Sequence, residues 1–332
     1  MARSLSRTHA QQTQQLDKKR DLLSKNQTKN QKLEQSMTEE ESIEEMMRQV
    51  RRLEIRARRL ASETFSGEYQ SSFKGAGLDF DEFREYQPGD EIRFIDWNVT
   101  ARMQETYVRK FREERELSVV IVVDVSGSTD FGSDRLSKRE RAAELTALMG
   151  FSARYNGDKV GLLLFSKEPE LYLPPRKGGK TVIRAIREVL TAQPENPETS
   201  ITSACEFLHQ TLKRKSLIFF ISDFIDWGFE KTLGSLAQQH DVVALSLTDP
   251  LEEDIPAVGK VQFRDPETGF TTVVNTSNPN ARMGLVKLSR RYREGLADFF
   301  KKRGIDHAEV ATDRDYLPAL HQLFQRRARR KN

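Results

Sequence analysis

The sequence predicts an α/β protein built on a doubly wound, mostly parallel sheet flanked by helices, with a small β-rich subdomain and a helix on its N-terminal side. Four apolar runs lack the polar alternation of half-exposed strands, which is typical of strands covered on both faces. These runs lie at 117–123, 160–165, 216–222 and 242–247. Amphipathic helical stretches separate them, as expected when each strand crosses over to a parallel neighbour.

The N-terminal part contains two different patterns. Residues 1–37 are rich in Gln, Lys, Ser and Asn, so they bury too little apolar surface to offset the entropy of ordering, and we expect a disordered or mobile tail. Residues 38–66 carry an apolar helical stripe, with acids at the start and arginines towards the end. This pattern predicts an amphipathic helix whose stripe docks on the rest of the protein.

The remaining chain divides at about residue 117. Residues 67–116 alternate short strand-like runs with turns such as KGAG and QPGD, which predicts the small β-rich subdomain. Residues 117–332 form the predicted α/β domain. It includes a hairpin at 259–275 with its turn in DPETG, a short last strand near residue 307 and a C-terminal helix from about Asp315.

Composition limits the functions and the cellular compartments that the sequence allows. The 54 basic residues are offset by 50 acidic ones, giving a net charge of +4, so we expect no specific nucleic-acid binding and interpret the basic C-terminus as a solvated helix end. Cys205 is the only cysteine, which excludes an intramolecular disulfide and fits an inert core thiol. The sequence shows neither a signal peptide nor a membrane span of ~20 apolar residues. We therefore expect a cytoplasmic protein.

The strand at 117–123 runs directly into the segment DVSGST. In doubly wound sheets, ligands bind beyond the carboxyl ends of the strands. Here a turn at Gly127 lets the side chains of Asp124, Ser126 and Ser128 converge. A carboxylate and two hydroxyls are hard oxygen donors, which suit Mg²⁺ or another divalent cation such as Mn²⁺ or Ca²⁺.

Two other loops on the same edge offer further oxygen ligands, because three do not complete an octahedron. Asp223 ends the strand at 216–222, and Thr199 lies at the start of a helix. DVSGST alone also fits an ordinary turn, but three loops with matching donors favour a metal site. The predicted ligands are Asp124, Ser126, Ser128, Thr199 and Asp223. Asp226 is either a nearby second acid or the N-cap of the following helix.

These residues resemble the metal-ion-dependent adhesion site of von Willebrand factor A domains, which is written Asp-x-Ser-x-Ser, then Thr, then Asp. The resemblance implies a Rossmann-type fold in which Ser126, Ser128 and Thr199 approach the metal, while Asp124 and Asp223 often act through waters. It also implies that an acidic residue of a partner protein fills the open coordination position.

The segment upstream extends the resemblance. REYQPGDEIRFIDW, residues 84–97, is similar to uncharacterised bacterial proteins whose genes commonly accompany MoxR-type AAA+ ATPases, and the likeness covers about residues 45–250. Thr129 departs from many of these relatives, which carry Met there. The implied function is a Mg²⁺-dependent interaction module that binds a MoxR-type ATPase or its client. The oligomeric state is left open.

The alternative is a metal-dependent phosphoester hydrolase that uses the same loops. Phosphatases of the haloacid dehalogenase class need a second Asp two residues after the first, and this chain has Ser126 there. The sequence also lacks a Gly-rich phosphate loop with Lys, and its five histidines are scattered. We therefore expect a binding module rather than an enzyme.

Overall fold

The computed structural model of the 332-residue chain describes residues 44–73, 78–103, 105–113, 116–132, 136–252 and 254–331. The chain divides into two compact units, Met1–Arg52 and Leu53–Asn332. In the first unit, residues 44–52 are helical, and the Glu45 carboxylate pairs with Arg48 and Arg52. The tail predicted at 1–37 and the start of the helix predicted at 38–66 lie outside the described residues.

Helical structure continues past residue 66, where the sequence predicted its end. Helix α1 comprises residues 44–60, a π-helical turn follows at Ala61–Phe65, and helix α2 comprises Ser66–Phe73. The second unit buries one residue in every four along this stretch: Ala57, Ala61, Phe65, Tyr69 and Phe73. Because residues four apart share a helix face, this stripe explains why residues 67–73 are helical rather than part of a β-rich segment.

The rest of the predicted β-rich segment is a hairpin with a helical connection. Strands β1 (Leu78–Glu85) and β2 (Tyr107–Glu113) pair antiparallel, and a 3₁₀ turn (Ile92–Phe94) and helix α3 (Trp97–Met103) lie between them. Arg84 forms a bidentate ion pair with Asp90, at 2.6 and 2.8 Å. Asp96 caps α3 through the N–H groups of Asn98 and Val99 and accepts from Arg109 Nε at 2.6 Å. Charged residues of the REYQPGDEIRFIDW pattern therefore fix this connection.

A six-stranded sheet forms the centre of the second unit, in the order β10-β7-β6-β3-β4-β5. The strands are β3 (Ser118–Asp124), β4 (Lys159–Phe165), β5 (Pro169–Arg176), β6 (Leu217–Ser222), β7 (Asp241–Thr248) and β10 (Asp306–Ala311). All neighbours are parallel except β4 and β5. The predicted mostly parallel sheet is confirmed, and its order reverses at β3, which has β4 on one side and β6 on the other.

The other elements connect or flank the sheet. They are α4 (Lys138–Tyr155), α5 (Gly179–Thr191), α6 (Ile201–Thr211), α7 (Glu230–Gln239), the antiparallel hairpin of β8 (Lys260–Arg264) and β9 (Thr271–Asn275), α8 (Pro279–Arg303) and α9 (Leu317–Lys331). The hairpin predicted at 259–275 is confirmed. Helix α9 begins two residues later than expected because Asp315 accepts from the Leu317 N–H at 3.1 Å and so precedes the helix.

Helices cover both faces of the sheet. Helices α6, α7 and α8 pack on one face in a buried cluster that includes Phe220 and Phe300. On the opposite face, the ring of Phe73 in α2 lies edge-on to Phe219, with 5.5 Å between the ring centroids. Phe219 and Phe220 are both fully buried although they point to opposite faces. Burial of both faces explains why the strand runs are continuously apolar.

The basic C-terminal helix is not fully solvated, contrary to the prediction from the sequence. Arg327 is not solvated: its side chain is buried, pairs with Asp306 and with Asp241 (2.6 Å), and lies over the ring of Phe73 at 4.5 Å. The physical reason is that α9 packs against β10 and α2, so one face of the basic segment turns inwards.

Among the helices of the described residues, none is long and apolar enough to cross a membrane.

Candidate metal site at the carboxyl edge of the sheet

The predicted ligands of the first and third loops meet where the strand order reverses. Asp124 is the last residue of β3, and Asp223 directly follows β6. These two strands are parallel neighbours, with Val123 opposite Ile221. Their carboxyl ends therefore open onto one crevice, which is where ligands bind in doubly wound sheets.

Asp124 is fully buried, and its carboxylate is fixed on both sides. Oδ1 accepts from the backbone N–H of Ser126 at 3.0 Å, and Oδ2 accepts from the hydroxyl of Ser222 at 2.7 Å. The hydroxyls of Ser126 and Ser128 lie 3.1 Å apart. The structure thus brings the three predicted side chains of this loop together, and Ser222 orients the carboxylate.

Asp223 is held by a buried lysine that the sequence reasoning missed. Lys138 Nζ donates to Asp223 Oδ2 at 2.9 Å and pairs with Glu252 Oε1 at 2.6 Å. Burial opposes the charge on Lys138, but the two carboxylates outweigh it, so its pKa is raised. Lys138 is the first residue of α4, after a capping box formed by Ser137 and Glu140. The box marks a helix start in the sequence, but nothing there places the ammonium beside Asp223.

The chain turns sharply after Asp223. Phe224 has φ 58°, which makes it the one non-glycine residue with a positive φ in the described part of the chain. The Tyr292 hydroxyl of α8 fixes this turn by donating to the carbonyls of Phe224 and, at 3.1 Å, of Asp226. A backbone conformation of this kind is costly and marks positions that the surroundings enforce. Here it keeps the Asp223 carboxylate at the strand end.

Asp226 links two of the predicted loops. Its Oδ2 accepts from the N–H of Ile201, the first residue of α6, at 2.8 Å. It therefore supports the start of α6, whose N-cap is Ser200. The expected cap of the following helix α7 is wrong, because that helix begins after Phe229 and the sharp turn at Phe224 directs the Asp226 side chain towards the loop that carries Thr199.

Thr199 contacts a carboxylate that the sequence reasoning also missed. Its hydroxyl donates to Glu267 Oε1 at 2.7 Å, and its N–H donates to Oε2 at 3.1 Å. The Ser128 hydroxyl lies close enough to the same carboxylate to favour its charged form. Glu267 lies in the turn between β8 and β9, and this turn lies against the first loop, because a Cβ on Gly127 would stand 2.8 Å from the carbonyl oxygen of Pro266. The DPETG turn was recognised in the sequence, but its position over the sheet edge has no local signal.

The electrostatics of the site show uncompensated negative charge. Burial and then the Asp223 charge raise the pKa of Asp124 to about 7, against the opposing hydrogen bonds from Ser222 and Ser126. Burial, and the same Asp223 charge, also raise the pKa of Glu267. Within the described residues neither Asp124 nor Glu267 forms an ion pair. The buried Lys138 pairs instead with Asp223 and Glu252. A further cation at this edge would offset that charge.

The donor set fits a hard cation. The described residues contain no group of three or more His, Cys, Asp or Glu side chains that could hold a metal ion, so hydroxyls have to contribute. Serine and threonine hydroxyls with carboxylates form an all-oxygen set, which suits Mg²⁺, Mn²⁺ or Ca²⁺ rather than a metal that prefers thiolate or imidazole.

Comparison with known proteins identifies the family. The family described as "Protein of unknown function DUF58" matches residues 82–295, from strand β1 to helix α8. The chain belongs to this family. The DUF58 match therefore includes all three loops of the site and the hairpin that carries Glu267.

Relatives extend beyond the matched segment. Uncharacterized proteins of Mycobacterium bovis and Mycobacterium tuberculosis are each 29% identical over 286 residues, which cover 84% of this chain and 89% of theirs. Among solved structures, the conserved hypothetical protein BatB of Bacteroides thetaiotaomicron aligns with a TM-score of 0.40 and 19% identity, covering 64% of this chain and 98% of that one. An aerotolerance-related membrane protein of Bacteroides fragilis gives a TM-score of 0.40 and 18% identity, covering 65% and 98%.

Proposed function

We propose that this DUF58 chain is a Mg²⁺-dependent protein interaction module of the von Willebrand factor A type, whose cation is completed by an acidic residue of a partner. The observation that supports it best is that the Thr199 hydroxyl of one loop donates to the Glu267 carboxylate, while the Ser128 hydroxyl of another loop lies close enough to act on the same carboxylate. The two loops are therefore close enough to share one small ion.

Each residue has a distinct part in the proposal. Ser126, Ser128 and Thr199 hold the cation through their hydroxyls, and Asp124 and Asp223 hold waters around it. The Ser222 hydroxyl and the Ser126 N–H orient Asp124, and Lys138 orients Asp223. When bound, the cation supplies a positive charge with an open coordination position, which a carboxylate can fill.

The partner we propose is a MoxR-type AAA+ ATPase, or the client that it remodels, in the cytoplasm. The support is the likeness of residues 84–97 to bacterial proteins whose genes accompany such ATPases. In the structure this segment is ordered by the Arg84–Asp90 and Asp96–Arg109 pairs.

The arrangement favours binding over phosphoester hydrolysis. A nucleophilic Asp124 would have to reach the phosphorus atom of a bound ester, but its side chain is fully buried and fixed by Ser126 and Ser222. The hydrolase remains the weaker alternative, and turnover of generic phosphoesters that is lost with Asp124→Ala would support it.

Calorimetric titration with Mg²⁺ and Mn²⁺ tests the proposed site directly. We expect saturable binding by the wild type, and at least a tenfold loss of affinity (about 1.4 kcal/mol) in Asp124→Ala and Thr199→Ala, because each removes part of the ligand set. The matched control is Thr202→Ala, which removes a threonine hydroxyl from the same helical region and should bind as the wild type does. Equal affinity in all four proteins would reject the metal site.

A further inference from the structure

The hairpin of β8 and β9 brings a carboxylate of the chain itself to the proposed metal site. Among the turn residues 265–270, Glu267 alone is not exposed. Its two oxygens accept from the hydroxyl and the N–H of Thr199, and Ser128 lies close enough to act on its charge. This side chain therefore bonds to one of the three hydroxyls that we assign to the cation and lies near a second.

The turn is built to present this side chain. The Asp265 carboxylate accepts from the Glu267 N–H at 2.9 Å and from the Thr268 hydroxyl at 2.5 Å, which fixes the backbone on both sides of the tip. Pro266 lies against Gly127 with no room for a Cβ. The glycine of the first loop thus admits the hairpin tip, and the following Ser128 lies close to Glu267.

The rest of the hairpin is held loosely. Most residues of β8 and β9 are exposed, and a cavity of about 500 Å³ lies between the hairpin, α8 and the sheet edge, with Phe263, Leu285 and Leu288 in its lining. A hairpin that buries few of its residues can move away from the sheet at small cost. Its fixed point is therefore the tip at Thr199 and Gly127.

A turn residue gains nothing from burial beside like charge unless something compensates it. Glu267 is removed from water and interacts unfavourably with Asp223, and the hydrogen bonds from Thr199 oppose these two costs without outweighing them. A cation between Ser128, Thr199 and Glu267 reverses the balance, because the carboxylate then becomes a ligand.

We infer that Glu267 is an internal acidic ligand, which fills the open coordination position of the cation until a partner's carboxylate displaces it. This inference rests on the proposed function. It adds that the hairpin closes the site in the free protein, and that the partner competes with a segment of the same chain. A partner therefore has to present its acid on a projection narrow enough to take the place of a hairpin tip.

The relaxation of water protons by bound Mn²⁺ tests the inference, because it reports the number of waters on the ion. A six-coordinate ion held by three hydroxyls and Glu267 keeps two waters, so Glu267→Ala should add a third and raise the relaxivity of the bound ion by about 1.5-fold. The matched control is Glu198→Ala. Glu198 adjoins Thr199 in the chain, but its carboxylate pairs with Lys167 at 2.9 Å, so its removal should leave the relaxivity unchanged.

The outcomes separate the inference from the proposed function. A higher relaxivity of bound Mn²⁺ in Glu267→Ala alone supports the internal ligand. Loss of Mn²⁺ from that variant alone supports it as well. Equal relaxivity in the wild type and both variants overturns the internal ligand and leaves the metal site in place. Absence of bound Mn²⁺ from the wild type, with Asp124→Ala indistinguishable from it, overturns both. An unchanged unfolding temperature of Glu267→Ala checks that the exposed turn tolerates the substitution.

Discussion

Asp124 combines full burial with two hydrogen bonds and a neighbouring carboxylate. The bonds from Ser126 and Ser222 favour its charged form, but burial and Asp223 oppose it more strongly. The Arg139 guanidinium also acts on Asp124 through space, although it pairs with Asp130. The folded, metal-free protein consequently holds a proton on Asp124 more tightly than the unfolded chain does.

This shift predicts a pH-dependent stability. The pKa of Asp124 rises from 3.8 to about 7 on folding. The free energy of unfolding therefore falls as the pH rises between these two values, because the folded protein has to ionise a buried carboxyl group. The whole of this loss is present above pH 7. In EDTA at pH 8, Asp124→Asn should therefore raise the free energy of unfolding by about 1–2 kcal/mol, with little effect near pH 4. Urea unfolding at the two pH values measures this. A variant less stable than the wild type at pH 8 would contradict it.

At this scale the sequence predicted the loop well and its surroundings poorly. The alternation of Asp124, Ser126 and Ser128 after an apolar run identifies three side chains of one loop, because strand and turn geometry are local. Lys138 and Glu267 come from segments whose positions depend on how a helix and a hairpin fold back over the edge. Nothing local in their sequence reports that placement.

The elements show how burial on the far side of the sheet fixes helices α2 and α9. Phe73 of α2 contacts Phe219 and Phe324, and Arg327 of α9 lies over the same ring. Sequence periodicity predicted the helix before α2 and the C-terminal helix, but it ended the first at residue 66, so that it missed α2, and it left the last one solvated. Both differences arise because α2 and α9 cover each other, and a single-helix pattern cannot show its partner.

The pairing of Arg327 predicts a specific loss of stability. Arg327→Met would leave Asp241 and Asp306 without this cation, although Arg330 still pairs with Asp306. We expect a loss of about 2–3 kcal/mol in the free energy of unfolding, since breaking one side of a buried pair strands the other. Arg329→Met, at an exposed position of the same helix, is the control and should change it by less than about 0.5 kcal/mol. Equal effects in urea unfolding would refute the assignment.

For the whole molecule, the helical segment that contains Phe65 and Phe73 packs on residues beyond the division predicted at residue 117. Phe65 and Phe73 pack on Phe324, the Ser72 hydroxyl donates to the carbonyl of Phe324 at 2.9 Å, and the Tyr69 hydroxyl donates to Asp158 at 3.0 Å. Apolar periodicity predicted strands β3, β4, β6 and β7, but it missed the antiparallel strand β5. The docking of α2 could not be predicted, because it depends on contacts across more than 250 residues of sequence.

A truncation tests this surface. A chain that begins at residue 117 lacks Phe65, Tyr69 and Phe73 and exposes the aromatic surface of α9 and β6. Burial of each large side chain contributes about 1.5–3 kcal/mol, so this chain should unfold at a clearly lower temperature than one that begins at residue 53, and it should bind a hydrophobic dye. Matching unfolding temperatures would show that the domain is complete without α2.

The two edge strands of the six-stranded sheet determine whether a second copy of this protein can add a strand to it. Strand β5 ends the sheet on one side, and Pro174 and Pro175 within it have no N–H to offer to a further strand. On the other side, Arg326 of α9 donates to the carbonyl of His307 in β10 at 3.2 Å, which takes up an acceptor of that edge. Extension of the six-stranded sheet from one molecule into the next is therefore disfavoured.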